Sequence, residues 1–150
     1  MTKETILEAC YAHIRKRIEQ IQVAIDDANH GIREETKSSA GDKYETSREM
    51  IQQDLTRYQQ QLTLAQQDQD LLQKIEEQTA VHQSVGQGSL VQTDKGLYFV
   101  GISIGELKVA GQSVFVISLQ SPIGQALKGK KVGESFTFRS TVSQQIQQIS

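Results

Sequence analysis

The sequence predicts an α+β protein: an N-terminal antiparallel coiled-coil helical hairpin followed by a small β-rich domain. Three observations carry this. Nine of the eleven glycines and the one proline, Pro122, fall between residues 86 and 133. Long helices are therefore allowed early in the chain and discouraged late. Two apolar seams recur at heptad spacing before residue 80, and β-branched, aromatic-rich runs bounded by glycine follow after residue 88.

The first helix opens with Thr2 or Thr5 as a cap, and Glu4 and Glu8 sit near the positive end of the helix dipole. Its seam reads Leu7, Tyr11, Ile14, Ile18, Ile21, Ile25, Ala28 and Ile32, spaced alternately by four and three residues. That is a 3.5-residue repeat. Ile51, Leu55, Tyr58, Leu62, Ala65, Gln69 and Leu72 form the second seam. The off-seam positions are mostly Gln, Asp, Glu, Lys and Arg, so each helix has one narrow apolar stripe, wide enough for one partner. The Gln-rich stretch 52–78 reads as helical surface because its seam is regular. A connection of about ten residues favours folding back within the chain, an intermolecular coiled coil being the alternative. Thirty residues of helix span about 45 Å, a length suited to reaching rather than enclosing.

The hairpin is expected over residues 1–80, with its tip near 38–46, Ser38-Ser39-Ala40-Gly41-Asp42-Lys43-Tyr44-Glu45-Thr46. Asp42 and Glu45 are three residues apart and share a face if the second helix has begun there, with Cβ atoms about 5–6 Å apart. Such a pair can hold a hard cation, since Mg²⁺ often takes one or two carboxylates and completes its shell with water or phosphate. An ordinary solvated turn is the plain alternative.

A polar link is expected over 81–87, and the second domain over 88–150. Its strand candidates are 89–93, 97–104, 113–119 and 135–138, with turns at Thr93-Asp94-Lys95-Gly96 and Ala110-Gly111. Ser121-Pro122 opens a short helix from Ile123 to Lys128, which Gly129 ends. The expected result is a small antiparallel sheet with one helix against it, marginally stable alone.

Charge and composition narrow the function. Residues 1–80 hold 10 Lys+Arg and 15 Asp+Glu, a net of −5; residues 81–150 hold 6 and 3, a net of +3. No strongly basic field exists, which argues against high-affinity binding of free nucleic acid. The single cysteine excludes an internal disulfide and suits a reducing compartment. No apolar run approaches a membrane span, and the start has no signal-peptide core, so a soluble, cytoplasmic, monomeric protein is expected. Cys10, beside the first seam, reads as a small hydrophobe, because no His or Asn motif accompanies it as nucleophile machinery would require. His13, His30 and His82 lack metal-ligand spacing.

Four stretches carry a resemblance: Gly88-Ser89-Leu90-Val91, Tyr98-Phe99-Val100, Val116-Ile117-Ser118, and above all the run from Ser121 to Glu134, SPIGQALKGKKVGE. They resemble the C-terminal domain of the bacterial Gre transcript-cleavage factors, GreA and GreB. Gly41-Asp42, followed by Glu45 three residues after the aspartate, is similar to that family's hairpin tip. The resemblance implies an FKBP-like fold for the second domain and RNA polymerase as partner. It implies docking at the rim of the polymerase secondary channel, with Ser121, Pro122, Ile123 and Gly124 as the docking loop. It further implies that Asp42 and Glu45 help hold a Mg²⁺ shared with the polymerase and orient a water that attacks backtracked RNA. No independent enzymatic activity is implied, and no cofactor is held by the protein alone. Arg33, Lys37, Lys43 and Arg48 are candidate contacts to phosphates of the nascent RNA. Lys128, Lys130 and Lys131 stand beside the docking loop as candidates for an acidic polymerase surface. The chain departs from the family where Thr46 follows Glu45 in place of the usual Asn and Glu-Tyr pair, and where Tyr44 precedes the glutamate. A regulator that binds the channel without stimulating cleavage stays open, as does a coiled-coil adaptor unrelated to transcription.

Overall fold

The computed structural model describes residues 1–38, 41–138 and 142–150, with the side chains of 35–46 outside the described set. Helix α1 runs Lys3–Ser38 and helix α2 Gly41–Glu76. Both helices extend further toward the expected tip than a ten-residue connection allows. Glycine at the first position of α2 is compatible with an N-terminal boundary. Two compact units are present: Ala12–Gln69 forms one, and Met1–Tyr11 with Asp70–Ser150 forms the other. No helix among the described residues is long and apolar enough to cross a membrane.

The unit at 12–69 is an antiparallel helix pair. Arg17 lies 3.8 Å from Asp68, and a Cβ on Gly31 would lie 3.5 Å from Cδ1 of Ile51. Ile14, Ile21 and Ala65 are buried there, while Ile18, Ile25, Leu55, Tyr58 and Leu62 are half-buried, all on the expected seams. Partial burial is what a two-helix ribbon provides, since each stripe has one neighbour.

In the other unit the helix ends are wider in their burial than one seam allows. Ile6 and Cys10 are buried together with Leu7, Leu72 and Ile75. Tyr11 Oη donates a 2.7 Å hydrogen bond to Glu76 Oε2. The reason is a second neighbour: Gly101 of the sheet comes close to Ile75, where a Cβ would lie 3.4 Å from Cδ1.

Six strands follow: β1 (Leu90–Thr93), β2 (Leu97–Gly101), β3 (Gly105–Val109), β4 (Gln112–Ser118), β5 (Ser135–Phe136) and β6 (Gln144–Ile149). Their spatial order is β3-β4-β2-β1-β6-β5. The sheet is mixed, which corrects the expected antiparallel one: β2 and β4 are parallel, Tyr98 opposite Phe115. Parallel neighbours need a crossover, and β3 supplies it by returning along the outer edge of β4. The expected strand 97–104 is thus cut at Gly101, and β3 and β6 are strands the sequence reading lacked. Both expected turns are present. Thr93 N donates to Gly96 O at 2.8 Å. Ala110 and Gly111 take positive φ of 51° and 79°, the pair of left-handed residues a tight type I′ hairpin demands.

All five residues of β2 are buried, as befits a central strand covered on both faces. On one face Val91, Tyr98, Val100, Ile117, Leu127, Phe136 and Ile146 form a core with Val85, and Leu119, Ile123, Ala126 and Ile149 pack against it. Val85, in the expected link, is therefore core. Helix α3 (Pro122–Leu127) delivers Leu127 to this core.

Candidate functional site

The SPIG run folds into the start of α3, and each of its four residues has a clear job in the fold. Ser121 caps the helix: its Oγ accepts from Gly124 N at 3.1 Å and donates to Ser118 O at 2.7 Å. Pro122 takes the first helical turn, where its missing N–H costs nothing. Ile123 leans on the core, and Gly124 is buried. A Cβ on Gly124 would meet Ser118 O closer than van der Waals contact allows, with Leu119 C and Cα at 2.9 Å. Only a residue without a side chain lets α3 lie this close to the end of β4. Pro122 alone of the four is exposed. The structure thus brings all four predicted docking residues into one preformed turn, with one apolar side chain outward.

Beyond α3 the backbone is pinned. Gly129, at φ 78°, turns the chain, and Lys131 N donates to Glu134 Oε1 at 3.0 Å. Glu134 was missed as a positioning residue, although its place three residues after Lys131 was visible in the sequence. Lys128 and Lys131 are exposed and Lys130 half-buried.

At the start of α2 only the backbone is described. Asp42, Lys43 and Glu45 lie in the first turns of α2, and Lys37 near the end of α1; the side chains of all four lie outside the described residues. Asp42 and Glu45 occupy backbone positions three residues apart in α2, about one helical turn. Two carboxylates are a partial donor set of the kind Mg²⁺ accepts when other groups complete its shell. Among the described residues no three His, Cys, Asp or Glu side chains gather as a metal site. Arg33 and Arg48 are exposed on α1 and α2.

The remaining reactive groups are committed to structure. Burial pushes the Cys10 thiol up to about 12, which leaves it inert as a nucleophile. Burial, and then the hydrogen bond to Glu76, pushes Tyr11 up to about 12 as well. His82 is held below its ordinary value, first by burial and then by Lys3, and its Nε2 is enclosed without a hydrogen-bond partner.

The family described as transcription elongation factor GreA/GreB, C-terminal domain, matches residues 104–149. No curated protein matches the chain. Among solved structures it is similar to GreA factor homolog 1 (Gfh1) of Thermus thermophilus, at 18% identity and TM-score 0.36, over 93% of this chain and 94% of that one. It is likewise similar to Thermus aquaticus Gfh1, at 20% identity and TM-score 0.36, over 95% and 94%. The matched segment contains the whole of α3 and its cap. What the chain shares with the GreA/GreB transcription elongation factors is thus a C-terminal segment, residues 104–149, similar to their C-terminal domain.

Proposed function

We propose that this protein is an elongation factor that binds RNA polymerase at the secondary channel and stimulates cleavage of backtracked RNA. The observation that carries the reading is the Gre C-terminal domain match, within which Ser121, Pro122, Ile123 and Gly124 form a rigid turn. That turn docks on the polymerase, and Pro122 is its outward apolar contact. The helical hairpin enters the channel and brings the start of α2 to the active site. Asp42 and Glu45 are the catalytic residues of this reading. They contribute carboxylate ligands to a Mg²⁺ that the polymerase also holds, and they orient the attacking water. The shared ion supplies charge stabilisation for the attacking and leaving oxygens. Arg33, Lys37, Lys43 and Arg48 contact phosphates of the nascent RNA. The carboxylate pair alone is too small a donor set to hold free Mg²⁺, so the isolated protein is inert.

A second reading, a regulator that occupies the channel without stimulating cleavage, is favoured by one observation: Thr46 follows Glu45 where the family has Asn. The test is a stalled, backtracked complex of the cognate polymerase with labelled RNA and Mg²⁺. Adding the protein shortens the transcript and releases a 3′ fragment, whereas naked RNA stays intact. Polymerase binding without shortening would instead establish the second reading.

A further inference from the structure

The segment after α3 is built more rigidly than a solvated loop needs to be. Lys128 N donates to Gly124 O at 2.9 Å, Gly129 N to Val85 O at 2.9 Å, and Lys130 N to Leu127 O at 3.0 Å. Lys130 O accepts from Val85 N at 2.8 Å, and Gly133 N donates to Ile146 O at 2.8 Å. The lysine backbones are therefore already ordered, and a partner that engages them does not have to order them.

Positive charge is also in excess here, three lysines against one carboxylate between residues 121 and 134. Glu134 is the one carboxylate between 121 and 134, and its Oε1 accepts from the Lys131 backbone N–H. Among the described residues, the ion pairs Arg17–Asp68, His30–Glu34 and Arg57–Asp54 involve none of the three lysines. Two apolar groups flank them, the exposed Pro122 and Val132, the latter 55% exposed.

We propose that Lys128, Lys130 and Lys131, with Pro122 and Val132, form a docking surface for an acidic protein face. The proposal rests on the polymerase reading and deepens it: the partner presents carboxylates to the lysines beside the place where Pro122 makes apolar contact. The composition favours protein over nucleic acid. No aromatic residue lies between 121 and 134 to stack a base. Three charges in four residues also make a compact patch rather than a row of phosphate contacts.

Rim charges of this kind act chiefly on association rate and its salt dependence. The test is stopped-flow association of the full chain with cognate core RNA polymerase across a salt series. Wild type is compared with Lys128→Gln plus Lys130→Gln plus Lys131→Gln, with the matching triple Lys→Arg variant, and with Lys131→Gln alone in case the triple fails to fold. The triple Gln variant associates about tenfold more slowly at low salt and converges on wild type at high salt, while the Arg variant stays at the wild-type rate. A Gln variant with the wild-type rate and salt slope would overturn the proposal while leaving the polymerase reading intact. A wild type that does not bind polymerase would overturn the reading, and the proposal with it. If the Gln variant instead loses affinity for a labelled single-stranded RNA and keeps its polymerase association, the surface serves nucleic acid and the proposal fails.

Discussion

Replacing Gly124 with alanine separates helix propensity from packing, because the two predict opposite signs. In an exposed helix the change gains about 1 kcal/mol. Here the new Cβ would overlap Ser118 O and press on Leu119 C and Cα at 2.9 Å. All three atoms are backbone, so no rotamer change relieves the contact and α3 has to move. Overpacking of this kind costs about 1–3 kcal/mol, and a backbone obstacle puts it at the upper end. Moving α3 also lifts Leu127, which is fully buried, out of its seat. The net expectation is a loss of about 2 kcal/mol. The assay is urea unfolding followed by far-UV circular dichroism, with polymerase binding measured in parallel on the folded fraction. The midpoint falls and binding weakens, because the turn at Ser121–Gly124 is displaced. A variant more stable than wild type by about 1 kcal/mol would show that α3 has room to relax, and the account of the SPIG turn would be wrong.

Two further outcomes follow from buried groups. With its pKa pushed up to about 12, about one Cys10 thiol in ten thousand is ionised near pH 8, so an aromatic disulfide reagent labels the native protein slowly and the urea-unfolded chain at once; equal rates would contradict the burial. His82 is held below its ordinary value in the fold, so the unfolded chain binds the proton more readily. Its contribution to stability is then complete above the ordinary histidine range and is lost as pH falls through the folded value. Melting temperatures between about pH 8 and pH 5 should drop for wild type with a slope that His82→Gln reduces, and an unchanged slope would remove His82 from the explanation.

The hairpin was legible because a seam at 3.5-residue spacing has one structural meaning, and its positions are buried or half-buried in α1 and α2. Ile6 and Cys10 were not legible as core, since their burial depends on neighbours distant in sequence. In the sheet, β1, β2 and β4 announced themselves through β-branched and aromatic runs. Strand β6 did not: Gln144-Gln145-Ile146-Gln147-Gln148-Ile149 spaces its apolar residues by three, which reads as neither strand nor helix. Its pairing is fixed from outside. Thr93 Oγ1 and Tyr98 Oη both donate to Gln144 Oε1, at 2.9 and 3.1 Å, and Gln145 N donates to Asp94 Oδ1 at 2.8 Å. A register shift between Gln92 and Thr93 accommodates the strand. The parallel pairing of β2 with β4 was hidden because it is set by where β3 lies, and nothing local to either strand encodes that. The short helix opened by Ser121-Pro122 was the most legible feature, and the structure supplies its physical content: a cap, a first-turn proline, a core contact and a glycine against backbone. The tip acids rest on resemblance and spacing alone, and their side chains lie outside the described residues.

The measurement that tests the central claim most directly is transcript cleavage in a backtracked polymerase complex with wild type and with Asp42→Asn plus Glu45→Gln. Polymerase affinity is measured for both. Both substitutions keep side-chain volume and remove charge at the start of α2, so binding through the C-terminal domain is left in place. The account predicts rapid RNA shortening with wild type, loss of that stimulation in the double variant, and equal affinities. Equal cleavage by the two proteins would contradict it, because the carboxylates would then have no part in the chemistry.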